Sequence, residues 1–275
     1  MGNEKYQMGY SDALLKVMAK RSAAYEAAHI AKFIRPGTTV LDVGCGPGSL
    51  TLDFAQLARP GQVTGLDIND EQFARPTADA DKRGLDNIEF RCGSVYDLPF
   101  PEDSFDLVTE NGVLMHLAEP QAAIAEMSRV LRPGGRIGLR DLYVSGSMIH
   151  GSAPCPIAGG FRRINTVMLK IHRRHGADFD AGIKHRGQLQ AAGFGDIEIG
   201  LSPSVLASDK QWLAAKENAE ASAQNWQRIS SQAAELGLLT PDEARRYKAW
   251  QDGLRDDPAA VNIRTWLHAS AQKPL

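Results

Sequence analysis

The chain has 275 residues, 43% hydrophobic and 23% charged, with a formal net charge of −2. That length supports a full core plus an appendage, and the near-neutral charge, with no basic patch interleaved with aromatics, argues against a protein that coats DNA or RNA. No run of eighteen apolar residues occurs, the opening Met1-Gly2-Asn3-Glu4-Lys5 has no apolar signal stretch, and Cys45, Cys92 and Cys155 form no Cys-x-x-Cys pair; a cytoplasmic protein with no membrane span, reduced thiols and no metal is expected.

In chain order, residues 11 to 34 have helical periodicity. Leu14, Leu15, Met18, Tyr25, Ala28 and Phe33 fall on one face behind a Ser11-Asp12 cap, and Pro36-Gly37 ends the helix. Val40-Leu41-Asp42-Val43 reads as an apolar strand that breaks at Gly44-Cys45-Gly46-Pro47-Gly48 and restarts as a helix near Leu50. Gln62 to Ile68 is a second strand ending in Asp67, and Pro76 is expected to kink or delay the helix after it. Ile88 to Phe100 holds the third strand and its loop. Ser104 to Glu110 is the fourth, followed by Asn111-Gly112-Val113-Leu114-Met115-His116-Leu117, and Leu131-Arg132-Pro133-Gly134-Gly135-Arg136 punctuates the approach to strand five. Alternation of strand and helix to about residue 142 predicts a parallel sheet with right-handed crossovers. Residues 142 to 179 are rich in small residues and turns and lie beyond strand five, where open α/β sheets place their crevice. Lys184 to Phe194 is a helix and Asp196 to Gly200 a strand. Residues 208 to 253 read as two polar, Ala-rich helices split where Thr240 caps and Pro241 opens the second, and Ala260 to Ala269 returns as a last strand.

The loop after the first strand carries the most chemistry. Glycine lets backbone lie flat against a ligand. The spacing is Gly-x-Gly-x-Gly behind an acid at Asp42, unlike the Gly-x-Gly-x-x-Gly that cradles a pyrophosphate. A ligand carrying an ammonium and a sulfonium is better served by such carboxylate and carbonyl oxygens. With the segments that follow in order, residues 36 to 142 resemble the class I S-adenosylmethionine (SAM) dependent methyltransferases, of a small-molecule, quinone or natural-product type. The resemblance implies an α/β, Rossmann-like, seven-stranded, mostly parallel sheet of order 3-2-1-4-5-7-6, with the last strand antiparallel beside strand five. It implies SAM as cofactor, with Asp42, Gly44, Cys45 and Gly46 at the glycine loop, Asp67 on the ribose flanked by Ile68 and Gln72, and Ser94 and Val95 at the adenine edge. Ser94 stands where family members commonly carry Asp, and its hydroxyl can still bond the exocyclic amine. Glu110 and Arg21 face the methionine end. Asp67 has a second reading as a helix cap, although Asn69 and Asp70 are better placed to cap.

His116, six residues past Glu110, is the candidate general base, because an imidazole titrates near neutral pH; the alternative is a packing role. Tyr6, Tyr10 and Tyr25, with Arg140, Tyr143 and His150 beyond strand five, are the candidate acceptor-binding residues. His172-Arg173-Arg174-His175 reads as a solvated basic face. The expected organisation is a helical lid over 1–34, a SAM-binding core over 35–200, a helical cap or oligomerisation arm over 201–255 and a last core strand over 256–275. The lid has a fixed helix as its alternative. The function expected is methyl transfer to an oxygen, nitrogen or carbon of a small molecule by in-line displacement, with no nucleic acid partner and a homo-oligomer through the C-terminal helices. Two alternatives stay open: a SAM-fold enzyme that cyclises or rearranges a small molecule, and a non-catalytic SAM-binding regulatory subunit.

Overall fold

The structure is a computed structural model that describes residues 15, 18–208, 211 and 219–275; Tyr6 and Tyr10 lie outside them. Seven strands form the main sheet: β1 (Val40–Val43), β2 (Val63–Asp67), β3 (Ile88–Cys92), β4 (Phe105–Glu110), β5 (Leu131–Leu142), β7 (Gly195–Leu201) and β10 (Trp266–Gln272). Their order is β3-β2-β1-β4-β5-β10-β7, which counted along the sheet's own strands is 3-2-1-4-5-7-6. The first five pair in parallel, and β10 runs antiparallel between β5 and β7. Every residue of β1 is buried, and alternation sorts its side chains. Val40 joins one apolar layer with α3 (Ser49–Ala58), while Leu41 and Val43 join the opposite layer with α5 (Pro120–Val130). Asp42 therefore faces α3, where its Oδ2 accepts the Thr51 hydroxyl hydrogen at 2.6 Å.

Before the sheet, the described part of the 11–34 segment is two short helices, α1 (Ala23–Glu26) and α2 (Ala28–Ala31). The break falls at Ala27, whose ψ of 18° leaves the helical range. The face that packs is Ala23, Ala27, Ile30 and Ile34, so Tyr25 and Ala28, expected on the apolar face, point outward. After β2 the chain makes a 3-10 turn over Asp70–Gln72 before α4 (Ala74–Arg83) begins, placing Pro76 in the first turn, where its missing N–H costs nothing. The pairing of β4 with β5 jumps from Phe105–Leu131 to Leu107–Arg136; the bulge so formed takes up Pro133-Gly134-Gly135.

A second unit sits on the main body. α6 (Gly160–Arg173), α8 (Ala219–Glu235) and α9 (Pro241–Gly253) share their own apolar cluster around Ile164, Ile171, Trp226, Ile229 and Tyr247. α6, expected within the core, thus belongs to this cap through one face. Through another it holds the body, with Leu169 in the cluster around Phe179 and Asn165 Nδ2 donating to the Val144 carbonyl at 2.9 Å. α9 begins with a capping box between Thr240 and Glu243 and Pro241 at its first turn, as the sequence predicts. β6 (Met148–His150), β8 (Ser204–Leu206) and β9 (Val261–Arg264) form a small antiparallel sheet. The expected last strand over 260–269 is therefore divided: 261–264 join this small sheet, and the core strand runs over Trp266–Gln272. Thr265 makes the switch, its N–H donating to Ser147 Oγ and its hydroxyl to the Gly146 carbonyl. α7 (His185–Ala191) leads into β7. No helix among the described residues is long and apolar enough to cross a membrane.

Candidate active site

At the carboxyl ends of β1, β2 and β4 the chain leaves a cavity of about 570 Å³, within the usual ~300–1,000 Å³ of small-molecule sites. The glycine loop forms its floor. Gly44, Gly46 and Gly48 all have positive φ, at 68°, 53° and 73°, which a side chain would strain. Gly44 and Cys45 donate their N–H groups to the Leu66 carbonyl, tying the loop to β2. A Cβ on Gly44 would lie 2.3 Å from Val113 Cγ2, so only glycine permits the loop to close against the turn after β4.

Asp67, 7% exposed, borders the cavity from the end of β2. Its Oδ2 accepts the Gly46 N–H at 2.8 Å, and its Oδ1 accepts from the Asn69 N–H at 3.1 Å and from Gln72 Nε2 at 3.3 Å. Burial pushes its carboxyl above the ordinary range, against the pull of these N–H donors. Capping of the following turn falls to Asn69, whose side chain accepts the Glu71 N–H, leaving Asp67 to the cavity. Ile68, Gly93, Val95 and Tyr96 continue the same wall. The opposite wall is the turn 111–117 with Glu119 and His175, and Met18 and Arg21 close the top. Met18 packs over the glycine loop, its carbonyl accepting the Ser49 hydroxyl hydrogen at 3.0 Å.

His116 lies on that opposite wall, in a 3-10 turn over Leu114–His116. Its ring meets Phe179 edge to face, centroids 5.3 Å apart. The expectation of titration near neutrality is corrected: burial, helped by His172 and Arg21, pushes the imidazole down to about 3. It is neutral throughout the physiological range.

The structure separates the other expected residues. Gly44, Gly46, Asp67, Ile68, Val95, Arg21 and His116 border one cavity. Asp42 and Cys45 border only a recess of about 10 Å³ beside it. Gln72 is held behind Asp67, and Ser94 Oγ accepts the Tyr96 N–H, bracing the loop after β3 from within. Glu110 does not reach the cavity. It is fully buried, because backbone N–H groups of Val113, Leu114 and Arg140 take its oxygens. None of the described acceptor-binding candidates borders the cavity. Tyr25 is 55% exposed with its hydroxyl on the Pro203 carbonyl; Tyr143 and His150 are drawn off by the small sheet, the first through its N–H to the Thr265 carbonyl and the second by pairing with Val261. Arg140 is buried over Trp266, with Ser202 and Asn111 accepting from its guanidinium. The His172–His175 segment is not a uniform solvated face: His172 is buried, stacked on Phe179 at 3.9 Å, and His175 borders the cavity. Tyr96, Asn111, Val113 and Met115 also line the cavity and were not anticipated; the one available signal was Asn111-Gly112, a turn dipeptide directly after a strand.

Comparison with known proteins agrees with this geometry. A family model described as a methyltransferase domain matches residues 34–155. A probable methyltransferase of Aspergillus luteorubrus is 31% identical over 231 residues, covering 76% of this chain and 77% of the relative. The nocamycin O-methyltransferase of Saccharothrix syringae is 41% identical over 177 residues, 59% of this chain and 61% of the relative. An uncharacterized methyltransferase of Schizosaccharomyces pombe is 34% identical over 142 residues, and the chain spans about half its length, 51%. Among solved structures, the YcgJ protein of a Bacillus superposes with a TM-score of 0.60 at 20% identity, covering 91% of this chain and 98% of its own, which shows the fold.

Proposed function

The chain belongs to the class I SAM-dependent methyltransferases, and from that premise we propose that it methylates a small molecule whose nucleophilic atom is seated on the His116 side of the cavity. SAM supplies the methyl group on a sulfonium that departs as a neutral thioether. The observation that carries the proposal is the sharing of one cavity by the Asp67–glycine loop wall and the His116 wall. The site fits the cofactor: Gly44 and Gly46 present bare backbone at positive φ, where a Cβ on Gly44 would collide with Val113 and one on Gly46 would crowd Met18, and Asp67 presents a carboxylate at the end of β2. Asp67 would accept from the ribose hydroxyls, Ile68 and Val95 would flank the adenine, and Arg21 would face the carboxylate of the methionine part.

The protein's own work is alignment, exclusion of water and movement of one proton. Met18 and Arg21 cover the cavity top. His116, neutral and partly desolvated, accepts the hydrogen of the acceptor's nucleophile and so orients it; an imidazole that titrates near 3 does not retain that proton, which passes to solvent as the methyl carbon bonds to the nucleophile. The relative named for O-methylation supports an oxygen nucleophile. The test is incubation of the purified chain and SAM with metabolite mixtures, reading S-adenosylhomocysteine release and a product heavier by one methyl group. Consumption of an acceptor with no gain of methyl would replace transfer by cyclisation or rearrangement, and failure to bind SAM would point to another role for the fold.

A further inference from the structure

The cavity wall made by residues 111–116 is hung from two carboxylates that never touch the cavity. Glu110 Oε2 accepts the N–H of Val113 at 2.8 Å and of Leu114 at 3.4 Å, while Asp141 Oδ1 accepts the N–H of Met115 at 3.0 Å. Glu110 Oε1 takes the Arg140 N–H at 2.8 Å, and Gly112 donates to the Arg140 carbonyl at 2.7 Å, so the turn is fastened to β4 and β5 together. Val113, held in this way, fills the space that a Cβ on Gly44 would need. The fastening therefore sets the gap between the turn and the glycine loop.

Both carboxyls are fully buried, and the donors are unequally shared. Glu110 receives three N–H groups. Asp141 receives one backbone N–H. Two adjacent buried carboxylates cannot both be ionised, so the pair shares one proton. The surrounding groups compensate only in part: the Arg140 charge pulls the Asp141 carboxyl down, but less than burial pushes it up. Arg140 is committed to Ser202, Asn111 and the face of Trp266. His185 of α7 has Nε2 3.5 Å from Asp141 Oδ2, and His29 of α2 stacks on His268 of β10 at 4.5 Å; burial holds all three imidazoles below their ordinary range, hence neutral. Arg21 and Glu26 approach Arg140 from the N-terminal segment. Glu110, Asp141 and His185 bring ligand-type atoms within 4.8 Å of one another, but Glu110 is already taken by N–H donors and the three are sealed from solvent, which favours a proton over a metal ion.

We infer that Glu110 and Asp141, sharing one proton, are positioning residues for SAM binding, holding the 111–116 turn against the glycine loop without contacting the cofactor. Loss of the shared proton sets two like charges side by side beneath the turn and loosens it. Burial raises both carboxyls, and the charge of Asp141 raises Glu110 further, so the pair keeps that proton above the ordinary carboxylate range. The inference rests on SAM occupying the cavity beside Gly44.

Calorimetric titration of the full chain with SAM from pH 6 to pH 9 tests it, on wild type, D141N, E110Q and D67A. With Asn at 141 the pair keeps a single ionisable carboxyl, so no second like charge forms beneath the turn at any pH. D141N should match wild type at pH 6 and bind SAM about tenfold more tightly than wild type at pH 9. Titration of SAM's own ammonium is common to both proteins and cancels in the ratio. E110Q, which sets an amide donor against a backbone N–H, should weaken binding about tenfold at pH 6; if it does not fold, the ratio of D141N to wild type decides alone. Parallel pH profiles for D141N and wild type overturn the inference. D67A binding SAM as tightly as wild type would instead show that SAM sits elsewhere, a failure of the site and not of the fastening.

Discussion

Asp42→Asn should stabilise the protein at alkaline pH. Asp42 lies between β1 and α3 with Thr51 as its hydroxyl donor, and burial, aided by the charge of Asp67, raises its carboxyl from 3.8 to about 7. The sign follows from linkage. A carboxyl that titrates higher folded than unfolded favours the folded state while protonated, and that contribution is lost as pH rises from about 4 toward 7. At 1.36 kcal/mol per unit, the ionised group costs about 4 kcal/mol at pH 8.5 and about 2 kcal/mol at pH 5.5, an upper bound because water drawn toward the charge relieves part of it. Asparagine keeps the acceptor for Thr51 and has nothing to ionise. Urea unfolding at pH 5.5 and 8.5, without SAM, should show wild type losing about 2 kcal/mol more than D42N over that interval. Asp67, Glu110 and Asp141 titrate abnormally in both proteins, so the difference isolates Asp42. Equal losses in the two proteins would refute the reasoning.

Asp67→Ala removes both the proposed ribose acceptor and the tether to Gly46, and should weaken SAM binding by about ten- to a hundredfold in a calorimetric titration. His116→Ala should lower turnover by about tenfold with SAM affinity unchanged, the loss of one orienting hydrogen bond; since the imidazole titrates near 3, the wild-type rate should show no step attributable to His116 between pH 5 and 8. Backbone amides over residues 18–25 should gain hydrogen-exchange protection when SAM binds, because Met18 and Arg21 cover the cavity. Equal protection with and without SAM would make the segment fixed scaffold.

What the sequence made legible is what local physics determines. The alternating glycines require positive φ, the acid at the end of β2 follows from strand periodicity, and Asn69 and Thr240 cap because their side chains reach N–H groups two or three residues on. Strand order was legible through the resemblance, and the sheet follows it. Residues whose roles are set by distant partners were not legible. Glu110 and Arg140 have the composition of site residues, yet each is consumed across the sheet, Glu110 by backbone donors on two segments and Arg140 by Ser202 and Trp266. Tyr25 was assigned to an inward face by a helix register that Ala27 interrupts.

His172 and His175 show the same limit in the opposite direction. Three residues apart, they read as one polar stretch. α6 ends between them, burying His172 on Phe179 and leaving His175 at the cavity. Because the same helix carries Ile164 and Ile171 into the cap, while His172 stacks on the ring that also meets His116, the cap is joined by direct packing to the wall holding the proposed base. Packing therefore couples the cap to the orientation of His116, a link for which the sequence, with its roles divided into separate segments, offered no local sign.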